Sequence, residues 1–122
     1  FMVGSGNALG DGVYLSTTLA TASAYAGAQG VVLKCAVRGR CCQWSPRIQQ
    51  RFTQWCQRSQ VRADNSARTA FLIQQGYEVL QNGDVLVVLS PQMANPTAWQ
   101  FKDRRIRVLA AFDSDGKQRI RV

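Results

Sequence analysis

The chain has 122 residues, 46% of them apolar, with a formal net charge of +8. That length suits one domain with one core, and no apolar run approaches the roughly 20 residues that span a bilayer. There is no His and only one Glu, Glu78. Ser–His and Cys–His hydrolase pairs and the usual ligands of a hydrolytic metal site are therefore excluded.

Residues 1–12 are rich in Gly, Asn and Ser and read as loop. The chain opens at Phe1 inside this loop, without an initiating Met or a signal-peptide pattern. The expectation is a domain cut from a longer protein. Val13 to Ser16 predicts a short strand, and Thr17 or Thr18 is placed to cap a helix over Leu19 to Ala26. Gly27 to Gly30 stops that helix, and the β-branched run Val31 to Arg38 predicts a central strand. Ser45-Pro46 starts a helical stretch that runs to about residue 75 and breaks at Asp64 to Ser66. Its second helix, Ala67 to Gln75, is expected to turn Ala70, Phe71 and Ile73 inward, and Gly76 ends it.

The last third predicts β structure. Tyr77 to Leu80 reads as a short strand, Asn82-Gly83-Asp84 as a turn, and Val85 to Leu89 as a strand buried on both faces. Ser90 to Thr97 reads as a loop, Arg105 to Phe112 as a strand, and Asp113 to Gly116 as the turn of a terminal hairpin. The fold class is α+β, with split mixed or antiparallel sheets and two or three flanking helices.

Twelve Arg and three Lys face seven acids. This balance points to an anionic partner: a dinucleotide, RNA or an acidic protein. No run of Arg stands out in the linear sequence, and Arg104, Arg105 and Arg107 read as a solvated basic edge. Trp44, Trp55 and Trp99 read as core or interface anchors. Cys35, Cys41, Cys42 and Cys56 lack C-x-x-C spacing and a His partner, so they read as free thiols of a reducing compartment, with disulfides in a secreted protein as the alternative. Neither G-x-G-x-x-G nor a P-loop lysine motif is present, and Val3-Gly4-Ser5-Gly6 completes neither.

Gly10-Asp11-Gly12-Val13-Tyr14-Leu15-Ser16, with a second tyrosine, Tyr25, eleven positions after Tyr14, resembles the central motif of the ADP-ribosyltransferase superfamily in its poly-ADP-ribose-polymerase-like and diphtheria-toxin-like branches. Gly30 to Gly39, Gly76-Tyr77-Glu78-Val79 and Asp84 to Gln92 resemble later family segments in the same order. The resemblance implies a single domain over residues 1–122 that takes NAD as substrate. It further implies that Tyr14 and Tyr25 flank the nicotinamide, with Gly12 and Ser23 among the cofactor-binding residues and Asp84 as the catalytic acid.

Three departures stand beside it. Ala22 occupies the position of a family Ser, with Ser23 or Thr21 as substitutes. Asp84 replaces the family Glu and reaches about 1.5 Å less, leaving Glu78 as an alternative acid. The family's first strand, with its His-Gly-Thr or Arg, has no match here: either it precedes Phe1, or the domain does not bind NAD in the family manner.

The function implied is NAD-dependent mono-ADP-ribosylation of a protein or nucleic acid by a toxin or effector domain. Such a domain is cytoplasmic, or is delivered into a target cell's cytosol, and an inhibitory, immunity-type protein is an expected partner. The alternative is a catalytically inactive module of the same fold that binds nucleic acid, ADP-ribose or a partner protein. A basic RNA-binding α+β domain unrelated to NAD is the third reading.

Overall fold

In the computed structural model, the described residues are 9–26, 30–90, 104–113 and 118–121; for 25, 26 and 118–121 the description covers the backbone alone. They form α+β structure in two compact units, divided after Tyr14, Arg38 and Lys102.

The first unit holds a four-stranded sheet in the order β1-β5-β4-β3. Its strands are β1 (Gly12–Ser16, which crosses the division), β3 (Cys41–Gln43), β4 (Val79–Asn82) and β5 (Val85–Leu89). β3 and β4 are parallel, with Cys42 opposite Leu80. A parallel pair needs a crossover, and α2 (Pro46–Ser59) and α3 (Asn65–Gln74) supply it.

Both helices start as their sequences dictate. Ser45 caps α2 by accepting from Ile48 N at 3.3 Å, ahead of Pro46 in the first turn. Asp64 caps α3 by accepting from Ala67 N at 2.8 Å.

β4 and β5 form an antiparallel hairpin in which Asn82 pairs with Val85, so Gly83 and Asp84 are its two-residue tip. Gly83 has φ 61°, and Asp84 is not among the positive-φ residues. Glycine in the first central position suits a type II′ turn. β5 is one of the two inner strands, and Val87, Val88 and Leu89 are buried as the unbroken apolar run implied, while Val85 and Leu86 next to the turn are half-buried.

The core of this unit gathers Cys42, Phe52, Cys56, Phe71, Leu72, Leu80, Val87 and Leu89. Trp44 and Trp55 pack against it, whereas Trp99 lies outside the described residues. The inward face of α3 differs from expectation. Thr69, Phe71 and Leu72 are buried, while Ala70 is exposed and Ile73 is 41% exposed. Thr69 takes the buried position because its hydroxyl is satisfied twice: it donates to Asn65 O and accepts from Asp11 N, each at 2.8 Å.

The second unit holds α1 (Leu19–Ala26) and a three-stranded sheet in the order β2-β6-β7. β2 (Val31–Val37) pairs antiparallel with β6 (Ile106–Asp113), which pairs antiparallel with β7 (Gln118–Arg121). The tip of the β6–β7 hairpin, 114–117, lies outside the described residues. Thr18 caps α1, its hydroxyl accepting from Thr21 N at 3.3 Å.

The expectation of a central strand over residues 31–38 is corrected. β2 stands at an edge of its sheet among the described residues, with Val31 43% and Leu33 45% exposed. An apolar run reports β propensity, but it does not report how many neighbours the strand finds.

No helix among the described residues is long and apolar enough to cross a membrane.

Candidate functional site

The motif segment is held by a polar web. Tyr14 turns its hydroxyl back onto its own upstream loop, donating to Gly10 O at 2.6 Å and accepting from Leu9 N and Gly10 N at 3.0 Å. One donor and two lone pairs exhaust a phenol. Any role of Tyr14 toward a ligand therefore falls to its ring, which is half-buried against the core.

The loop is also fastened to α3. Arg68 donates to Leu9 O at 3.0 Å, and Ser66 donates to the Asp11 carboxylate at 3.1 Å. Asp11 is buried, and its carbonyl accepts from Ser90 N at 2.9 Å. Removing only the hydroxyl, in Tyr14→Phe, leaves two loop N–H groups and one carbonyl to find new partners. The expected loss is about 1–3 kcal/mol of stability, measured by urea denaturation, with the ring face unchanged.

Gly12 is buried in β1 with φ 153°. Its backbone runs so close to the Val88 carbonyl that a Cβ there would overlap the oxygen. Strand packing therefore already requires this glycine, whatever it does for a cofactor.

Asp84 is half-buried at the tip of the β4–β5 hairpin, and beside it Gln81 donates to Gly83 O at 3.1 Å. Gly12 lies at Val88, four residues further along β5, a separation of roughly 13 Å along the strand. Glu78 stands before β4, at the end away from Asp84, with its N–H bonded to Arg40 O at 2.9 Å. The two candidate acids thus lie at opposite ends of β4, about 16 Å apart along the hairpin. In the second unit, Ser23 is half-buried on α1. Tyr25 is on the same helix, its side chain outside the described residues, as are Gln92 and the Gly-rich residues 3–6.

All four cysteines are free; Cys42 and Cys56 are buried, Cys41 exposed and Cys35 half-buried. Desolvation raises each thiol above its ordinary value; at Cys42 the neighbouring Cys41 adds to the rise and Arg40 opposes it. Below that value of 9.0 the thiols are protonated whether folded or unfolded. Above it the unfolded chain ionises first, so stability falls as pH rises. Two outcomes are expected: Cys42 and Cys56 resist alkylation at pH 7.5 until denaturant is added, and the urea midpoint drops above about pH 9. Among the described residues no three His, Cys, Asp or Glu side chains group to hold a metal ion.

A cleft of about 110 Å³ opens in the first unit, lined by Arg40, Ile48, Arg51, Phe71, Gln75 and Tyr77. The Arg40 guanidinium lies 4.7 Å from the centre of the Tyr77 ring. The sequence offered little to reveal this cleft, because its lining comes from four separate segments. Comparison with family models, curated proteins and solved structures finds no match.

Proposed function

We propose that the chain is an ADP-ribosyltransferase domain that uses NAD as donor. One observation supports this most. β1, which carries Gly12-Val13-Tyr14, is the hydrogen-bonded neighbour of β5, the strand that begins immediately after Asp84. The motif strand thus lies beside the strand whose leading turn carries the acid, and Tyr25 follows on α1.

The chemistry asks little of the protein. The bond from ribose C1′ to nicotinamide breaks with its electron pair going to the pyridinium nitrogen, which becomes neutral. An acceptor oxygen or nitrogen bonds C1′ and gives up its proton, so NAD and acceptor become ADP-ribosyl acceptor, nicotinamide and a proton. The Tyr14 and Tyr25 rings are assigned to the nicotinamide, and the Asp84 carboxylate to the positive charge that develops on the ribose. A protein or nucleic acid is the acceptor. Loss of nicotinamide release in Asp84→Ala with the fold retained tests the acid; full activity there would move the role to Glu78.

The second reading, a non-catalytic module of this fold, is favoured by the commitment of the Tyr14 hydroxyl to its own loop and by the shorter acid at a turn tip. It predicts binding without nicotinamide release.

A further inference from the structure

The cleft between Arg40 and Arg51 brings several hydrogen-bond donor residues together. Arg40, Arg51, Tyr77 and Gln75 line it together with the apolar Ile48 and Phe71, and no acidic residue is among the lining. Its open volume of about 110 Å³ leaves room for a phosphoryl group.

The cleft also continues into a charged row. On α2, Arg47, Arg51 and Arg58 fall within about 40° of one another around the helix axis, and all three are exposed. The opposite face carries the buried Phe52 and Cys56. The row extends about 16 Å. α2 has no acidic residue, and none of Arg40, Arg47, Arg51 and Arg58 forms an ion pair among the described residues. Arg47 sits in the first turn, where the helix dipole disfavours a cation, and Arg58 in the last, where it favours one, so helix stability accounts for Arg58 but not for Arg47.

We propose that the Arg40–Arg51 cleft and the arginine row of α2 bind the phosphate backbone of a nucleic-acid strand, with one phosphate seated in the cleft. A row of this length meets several phosphates, since each strand carries one charge per about 3.4 Å. A single phosphorylated side chain presents only one. The paired guanidiniums suit the oxygens of a phosphate. The cleft lies at the end of β4 away from Asp84, so it grips the strand and leaves chemistry elsewhere. The proposal stands whether or not NAD is cleaved.

The test is fluorescence anisotropy of a labelled 12-nucleotide single-stranded RNA, without NAD, across a salt series. The wild-type protein is expected to bind with a log–log salt slope of about −2 to −3, near −0.7 per phosphate neutralised. Arg40→Gln/Arg51→Gln is expected to bind about tenfold more weakly, with a slope shallower by about 1.4. Because Arg40 stacks on Tyr77, Arg47→Gln/Arg51→Gln on the solvent face of α2 serves as the second variant, with the same loss and an unchanged melting temperature. Arg107→Gln, exposed on β6, is expected to stay within about twofold of wild type, and inorganic phosphate to compete. Asp84→Ala is expected to bind as wild type, which separates this result from the NAD reading. No RNA binding by wild type at low salt, folded double variants with unchanged slope, or an equal loss in Arg107→Gln would overturn the proposal. Displacement of the RNA by a phosphopeptide at lower concentration than by unlabelled RNA would overturn it as well.

Discussion

Gly12→Ala is expected to cost at least about 4 kcal/mol, placing it among the exceptional substitutions. The added Cβ would overlap the Val88 carbonyl oxygen and stand 2.8 Å from Val88 C and 3.2 Å from Leu89 Cα. All three atoms are backbone of β5, so no rotamer change makes room. β1 must separate from β5, and the bond from Ser90 N to Asp11 O goes with it. Against a total stability of about 5–15 kcal/mol, this leaves a large unfolded fraction. Gly83→Ala is the matched control. It also has positive φ, 61°, but nothing lies within 4 Å of its added Cβ. Only the left-handed backbone penalty of about 1–2 kcal/mol then applies. Urea midpoints of the two variants separate close packing from backbone conformation, and equal losses would contradict this account.

Phe52→Ala is expected to cost about 3–5 kcal/mol. Phe52 is fully buried, and three rings surround it: Trp44 at 6.0 Å edge-on, Trp55 at 6.5 Å stacked and Phe71 at 5.6 Å tilted. Arg68 covers a ring face at 5.4 Å. Phe71 is on α3 and Trp44 follows β3, so the ring ties both helices to the sheet. Truncation removes the transfer energy and leaves a cavity walled by large rings that cannot collapse into it. Phe52→Leu keeps most of the volume and is expected to lose less than half as much. A loss below about 1.5 kcal/mol for Phe52→Ala, read from chemical denaturation, would show that the surrounding rings close the gap.

Local signals in the sequence were legible where they act over a few residues. The Ala-rich stretch after Thr18 gave a helix from Leu19 to Ala26, the span observed. Ser45-Pro46 opened α2, and Asn82-Gly83-Asp84 turned the hairpin. β3 escaped notice because Cys41–Gln43 is only three residues long and is held by pairing to β4 across the chain. The arginine row of α2 is invisible in linear order, since Arg47, Arg51 and Arg58 are four and seven positions apart and align only once the helix winds.

The Gly10–Tyr25 segment was legible as a motif but not as a packing device. That Asp11 fastens to Ser66 and Thr69, 55 and 58 positions away, and that Tyr14 spends its hydroxyl on its own loop, are tertiary facts. They narrow what Tyr14 has left for a ligand to its ring.

The most direct test of the transferase reading is nicotinamide release by the full-length protein from NAD labelled in the nicotinamide ring, with labelled adenylate followed in parallel onto protein and RNA. Release matched by transfer of label, and lost in folded Asp84→Ala, is the predicted result. No release and no transferred label from the folded wild-type protein at saturating NAD would contradict it.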